Sequence, residues 1–147
     1  MSVKVCDRKQ GKFETLTVAM ELACHTIRIC DNDKVFPKRH RLSVTADIIK
    51  NVKRIPKIIN RANKKDLFKE YQQRLKLQQN AIDLIDDFEI DIQIAYLALQ
   101  PNITEQKLDY WLKLLTETRA KLKSWIRADA SDYKKFVSTN DNQKVSN

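Results

Sequence analysis

The single glycine among 147 residues, with only three prolines, restricts this chain more than any other feature of its sequence. A β-rich fold needs many tight turns, and tight turns use glycine and proline. Their scarcity favours a few long helices with few connections. Hydrophobic residues make up 42% of the chain and charged residues 32%, which is a globular rather than a disordered composition. We therefore expect one all-α domain with its own apolar core.

Apolar residues recurring at spacings of three and four mark four amphipathic helices. Pro56 either kinks the second of these helices or splits it into two short ones. Thr104 is the expected N-cap of the fourth helix. Because the links are short, the pattern predicts an antiparallel up-down four-helix bundle. The predicted helices cover about residues 13–30, 43–63, 66–100 and 104–128.

The composition divides the chain into three parts. Residues 1–12 are mixed and polar and predict a flexible N-terminal arm, residues 13–128 form the bundle, and residues 129–147 form a polar C-terminal tail that we expect to fray. Phe36 lies in a loop before Pro37 and is expected to plug one end of the bundle. Trp111 and Trp125 have the spacing of core residues.

Three cysteines, an odd number without a CxxC spacing, indicate reduced thiols in a cytoplasmic protein. Cys24 and Cys30 fall on one apolar helical face, where burial is expected; the third is Cys6. No apolar run reaches the length of a membrane span, and the N-terminal residues lack the apolar segment of a signal peptide. We expect no membrane contact.

Positive charge is concentrated in one short segment of a chain whose net charge is +9. Residues 34–65 carry eleven Lys and Arg against the single acid Asp47. Seven of these cations fall opposite the apolar face of the second helix, and we call them the basic stripe. Three more precede that helix, and we call them the basic loop. The stripe is Lys50, Lys53, Arg54, Lys57, Arg61, Lys64 and Lys65, and the loop is Lys38, Arg39 and Arg41.

A solvated helix face usually mixes charges of both signs, whereas the basic stripe repels itself. This pattern favours a polyanion site, so the ten cations are the predicted nucleic-acid-binding residues. An acidic protein surface is the alternative partner. Binding to an anionic membrane is less favoured, because the apolar face of the second helix is needed for the core. Aromatic residues do not interleave with the cations, which favours phosphate contacts over base stacking.

The sequence does not assemble a catalytic centre, and we expect neither an enzyme nor a bound cofactor or metal. His25 and His40 are far apart in the sequence, and no HxxE or ExxH pair typical of a di-metal bundle is present. Asp83 and Asp87 have a spacing that suits a metal. Pairing of this acidic segment with cations of another helix or another subunit is the favoured interpretation. Attraction between the acidic third helix of one subunit and the basic second helix of another predicts a homo-oligomer.

Three short segments resemble Avd-like four-helix-bundle proteins, the accessory variability determinants of diversity-generating retroelements. The resemblance covers about residues 13–130. It rests on a loop of the FPKR type, an alanine-asparagine ending of the second helix and a closing tryptophan-isoleucine segment. These segments are Phe36-Pro37-Lys38-Arg39-His40-Arg41, Arg61-Ala62-Asn63 and Leu122-Lys123-Ser124-Trp125-Ile126.

The resemblance implies a specific role. Avd-like proteins are basic pentamers that bind nucleic acid and work with a reverse transcriptase on a template RNA. By resemblance, Lys38, Arg39 and Arg41 correspond to the family's basic loop, and Trp125 belongs to its packed closing helix. The expected partners are therefore a reverse transcriptase, template RNA or cDNA, and further copies of this chain.

Overall fold

Four helices account for most of the chain. The computed structural model describes residues 2–146, with side chains described from Glu14 onward. Within residues 2–146 there is no strand, so the all-α prediction is confirmed. None of the helices in this range combines the length and the apolar character needed to cross a bilayer. The helices are α1 (Ser2–Asp31), α2 (Ala46–Lys64), α3 (Tyr71–Ala98) and α4 (Glu105–Val145).

Each helix packs against two of the others. α2 packs against α1 and α3, and α4 packs against the same two helices. The core between them contains Trp111, Phe88 and Ile55, all fully buried. Phe36 is also buried and meets Trp111 edge to face, with ring centroids 6.2 Å apart. The predicted bundle core and the predicted plug at Phe36 are therefore present.

The second helix follows its sequence pattern closely. α2 is one continuous helix with Pro56 inside it, which excludes the alternative of two short helices. A 3₁₀ turn (Lys38–His40) and a π-helical turn (Arg41–Thr45) precede it. Its apolar face turns inward because residues three and four apart share one side of a helix. The buried residues of α2 are Ile48, Val52, Ile55, Ile59 and Ala62.

The ends of the first and last helices differ from the sequence pattern. α1 begins at Ser2 rather than at Phe13. The flexible arm proposed for residues 1–12 stays a prediction, because the side chains of residues 2–13 lie outside the described part. α4 continues to Val145 and is longer than α3, although α3 was the predicted longest helix. Asp129, assigned to the polar tail, is buried. The bundle therefore extends beyond Ala128.

The inward face of α1 is offset from the predicted one. Cys24 was expected inside but is exposed, as is Met20, whereas Cys30 is buried as expected. Thr26 lies fully buried because its hydroxyl donates to the Leu22 carbonyl at 2.8 Å, so its polar group is satisfied within the helix. Hydrogen-bonded threonines therefore join the core of this helix.

The two described cysteines should react at very different rates. Burial, assisted by the Asp31 carboxylate, raises the pKa of the Cys30 thiol to about 12. The thiolate is the reactive form, so Cys30 stays almost entirely unreactive near neutral pH, while the exposed Cys24 is accessible. Alkylation of the native protein followed by peptide mass spectrometry should label Cys24 first and Cys30 only after unfolding. Equal labelling of both thiols would contradict this burial.

Candidate nucleic-acid interface

The basic stripe is a surface feature of α2. Six of its members lie on the exposed side of the helix and Lys65, just past the helix end, is partly buried. Lys50 and Lys64 are fourteen residues apart, which corresponds to about 21 Å along a regular helix. The stripe remains continuous because Pro56 does not divide the helix. The exposed members are Lys50, Lys53, Arg54, Lys57, Arg61 and Lys64.

Most of the stripe has no acidic neighbour. Among the described residues, the six exposed cations make no ion pair within 4 Å. Lys65 is the exception, since its Nζ lies 3.5 Å from a carboxylate oxygen of Glu70. Unpaired like charges along one helix face raise the free energy of the folded protein, and a bound polyanion would relieve that repulsion.

The basic loop extends the cationic surface ahead of α2. Lys38 and Arg39 lie in the 3₁₀ turn, Arg41 begins the π-helical turn, and all three are exposed. Arg39 Nε donates to His40 Nε2 at 3.2 Å. The structure therefore places all ten predicted binding residues at or near the surface, in two adjacent segments.

Three acidic residues of α3 bind partners outside the basic stripe. Arg119 of α4 pairs with Asp86 at 3.0 Å and also with Glu89. Asp91 accepts a hydrogen bond from the Asn51 amide at 2.8 Å. Pairing of the acidic segment with a cation of another helix is thus observed for Asp86. Among the described side chains, residues 14–146, no group of three or more His, Cys, Asp or Glu is arranged to hold a metal ion.

A buried ion pair lies at one end of the bundle, where sequence reasoning missed it. Arg74 and Asp129 form a two-pronged contact, with Nε–Oδ2 at 2.6 Å and Nη2–Oδ1 at 3.0 Å. Gln78 donates to the same carboxylate at 2.7 Å. The Arg74 guanidinium also covers the Trp125 ring, 5.0 Å from its centroid. No sequence motif marks this network, because its partners are 55 residues apart.

A cavity of about 800 Å³ opens above this ion pair. Its wall is contributed by α1, the end of α2, the loop to α3, the start of α3, and α4. Lys64 and Lys65 of the basic stripe line it together with Phe68 and Trp125. The indole Nε1 of Trp125 is buried and makes no hydrogen bond among the described residues. The basic stripe therefore ends at an open, partly aromatic cavity.

His25 lies in a different region, beside a smaller cavity of about 330 Å³. Its ring meets Tyr110 edge to face, with centroids 4.8 Å apart. Its Nε2 atom is buried without a hydrogen-bond partner in the described structure. Burial, with a further contribution from the Arg28 charge, lowers the pKa of His25.

Comparison with protein-family models, with curated proteins and with solved structures gave no match. The class that the fold and the surface define is a basic, all-α four-helix protein whose cations lie along one exposed helix face.

Proposed function

We propose that this chain is a basic, non-enzymatic accessory protein of the cytoplasm that binds template RNA or cDNA and assembles with a reverse transcriptase of a diversity-generating retroelement. The unpaired cationic face of α2, with the basic loop ahead of it, is the single observation that carries nucleic-acid binding. The polymerase and the pentameric state come from the Avd-like resemblance of Phe36–Arg41 and Leu122–Ile126.

Phosphate contact is the chemistry that this face offers. Lysine and arginine side chains bind phosphate oxygens, and release of the counterions drives association. Six exposed cations along about 21 Å can follow a nucleic-acid backbone over several phosphates. The opposite face of α2 is committed to the core, so the helix is held in one orientation with its cations outward.

The up-down arrangement belongs to the same proposal. Thr26 of α1 accepts a hydrogen bond from Trp111 of α4, whereas Glu14 pairs with Lys121. A later position on α1 thus meets an earlier position on α4, which supports antiparallel neighbours. The ion pairs between α3 and α4 follow the same order. Such a bundle would display the whole length of α2 on one side.

RNA affinity of the purified, nuclease-treated protein tests the proposal directly. Titration of a labelled single-stranded RNA, followed by fluorescence anisotropy at about 50 mM salt, is expected to give saturable binding, because counterion release is most favourable at low salt. A protein that binds neither RNA nor DNA under these conditions would contradict the proposal.

The alternative is a protein-docking adaptor whose basic face binds an acidic surface. The same unpaired cations favour it, since they attract any dense array of carboxylates. Nuclease treatment separates the two functions. A partner retained from nuclease-treated extracts by a chain without RNA or DNA affinity would support the adaptor and exclude the accessory role.

A row of exposed apolar residues on α3 supports the homo-oligomer. Ile90, Ile94 and Leu97 follow one another at spacings of four and three, so they share one side of the helix. They are 53%, 54% and 71% exposed. Contiguous apolar side chains at a protein surface are typical of an interaction site. Asp83 and Asp87 continue the same side of α3, and their charge complements the basic stripe of a second copy.

Substitution of the central residue of this row should reduce the oligomer. Ile94→Asp places a charge where apolar side chains would meet, so the mass measured by light scattering is expected to fall toward that of one 17.3 kDa chain. Gln143→Asp is the matched control, because it introduces the same charge at an exposed position of α4 outside the row. An unchanged mass for Ile94→Asp, or a wild-type protein that is monomeric at moderate salt, would exclude this surface.

A further inference from the structure

Two exposed phenylalanine rings lie at the end of the basic stripe. Phe68 belongs to the loop between α2 and α3, and Phe136 belongs to the C-terminal part of α4. Their ring centroids are 4.6 Å apart and their planes differ by 35°. Phe68 is 41% exposed and Phe136 is 38% exposed, so each ring keeps area open to solvent.

A neighbouring pair of tyrosines accounts for the packing of α4, so this packing does not depend on Phe68 and Phe136. Tyr71 and Tyr133 stack face to face, with centroids 4.0 Å apart and planes within 10°. Both tyrosines are half-buried, and this contact already holds the extended part of α4 against the start of α3. The ring centroid of Phe136 lies 6.4 Å from that of Tyr133, at the outer side of the cluster. The phenylalanine pair is therefore the accessible part of a supported aromatic cluster.

The loop that presents Phe68 is held in one conformation. Asp66 Oδ1 accepts hydrogen bonds from the backbone amides of Phe68 at 2.9 Å and Lys69 at 2.7 Å. These bonds, the Lys69 amide foremost, lower the pKa of the Asp66 carboxyl. Arg74 Nη1 donates to the Lys65 carbonyl at 3.0 Å and ties the loop to the buried ion pair. A ring held in this way loses little conformational freedom when a base stacks on it.

Both cations and acids surround the rings. Lys64, the last member of the stripe on α2, and Phe68 line the same cavity, whose wall also includes the acids Asp66, Glu70 and Asp132. Lys69, Lys134 and Lys135 are exposed and adjoin the phenylalanines in the sequence. A positively charged track that ends at accessible aromatic rings is the arrangement by which proteins bind single-stranded nucleic acid, with phosphates on the cations and bases on the rings.

We propose that Phe68 and Phe136 form a stacking platform for unpaired bases, so that the ligand of the basic stripe is a single-stranded nucleic acid. The proposal rests on the proposed function and makes it more specific. It also revises the sequence-based expectation of phosphate contacts alone, because folding brings aromatic rings from two distant segments to the end of the stripe. Paired bases in a duplex cannot reach the rings, so the platform favours single strands.

The test compares four protein forms on three nucleic acids of equal phosphate number. The proteins are the wild type, Phe68→Leu/Phe136→Leu, Phe136→Trp, and Leu42→Ala as a control at an exposed apolar site remote in sequence. The ligands are a single-stranded RNA, a strand of the same length without bases, and a duplex. Leucine keeps apolar bulk but removes the ring, and tryptophan keeps an aromatic face. Melting temperatures of all forms show whether they fold.

The double leucine variant is expected to bind the single strand about tenfold more weakly, with unchanged binding to the duplex and the baseless strand. Phe136→Trp and Leu42→Ala should retain wild-type affinity. Wild-type affinity of the double variant for the single strand, or an equal loss on all three ligands, would overturn the platform. Those results would leave the proposed function intact if the wild type binds RNA. Absence of all binding by the wild type would remove both proposals.

Discussion

Removal of four charges from the basic stripe is expected to weaken RNA binding by at least about a hundredfold at about 50 mM salt. The variant is Lys53→Gln/Arg54→Gln/Lys57→Gln/Arg61→Gln, whose side chains are all exposed on α2. For a single strand, each lost phosphate contact also reduces the magnitude of the slope of log affinity against log salt by about 0.7. The slope of the variant should therefore be shallower by about 3. Anisotropy titrations across a salt series measure both quantities.

A second variant with the same net charge separates local binding from general attraction. Lys76→Gln/Lys113→Gln/Lys123→Gln/Arg127→Gln removes four exposed cations from α3 and α4. Long-range attraction depends on the total charge, which is equal in the two variants, so only contact at the stripe distinguishes them. The control should retain most of the wild-type affinity. Equal losses in the two variants would show that the charge acts diffusely and that α2 is not the binding surface.

Asp129→Ala is expected to lower the free energy of unfolding by about 3–5 kcal/mol, because it leaves the Arg74 guanidinium buried without its counter-charge. Arg74 is 2% exposed, so its charge is poorly solvated once the carboxylate is gone. Gln78 loses a hydrogen bond in the same variant. Chemical denaturation followed by helical circular dichroism measures the change.

Two further variants show whether the loss comes from an unpaired charge. Asp141→Ala, at an exposed position of α4, should change the free energy of unfolding by less than about 0.5 kcal/mol. Arg74→Met/Asp129→Leu removes both charges and should recover much of the stability lost by Asp129→Ala, because apolar side chains of similar volume can replace a buried ion pair. A loss below about 1 kcal/mol for Asp129→Ala would contradict the buried pair.

The all-α fold class could be predicted because the sequence signals for helices are local. The apolar period of α2 predicts one inward face of six residues, of which Ile49 is half-buried and the others are buried: Ile48, Val52, Ile55, Ile59 and Ala62. Thr104 was predicted as an N-cap, and its Oγ1 accepts from the Lys107 amide at 3.2 Å. Both features depend on residues within one or two turns of each other, which a single sequence displays directly.

The features that sequence reasoning missed depend on contacts between distant residues. Beyond Ala128 the chain is polar, so the pattern predicted a frayed tail, whereas α4 continues and Asp129 is buried. Its burial requires Arg74 and Gln78 from α3, which no local period indicates. The aromatic contact between Phe68 and Phe136 joins residues far apart in the sequence for the same reason. The stripe was found because six of its seven members occupy a single helix.

The salt dependence of RNA binding by the wild-type protein, with mass measured on the same sample, tests the central claim most directly. If a single strand contacts the six exposed cations of α2, the slope of log affinity against log salt should be about −4, and steeper if the basic loop also binds phosphate. An oligomer that binds with this slope would agree with the accessory role. No binding at low salt, or binding that is insensitive to salt, would contradict it and favour a protein-docking surface.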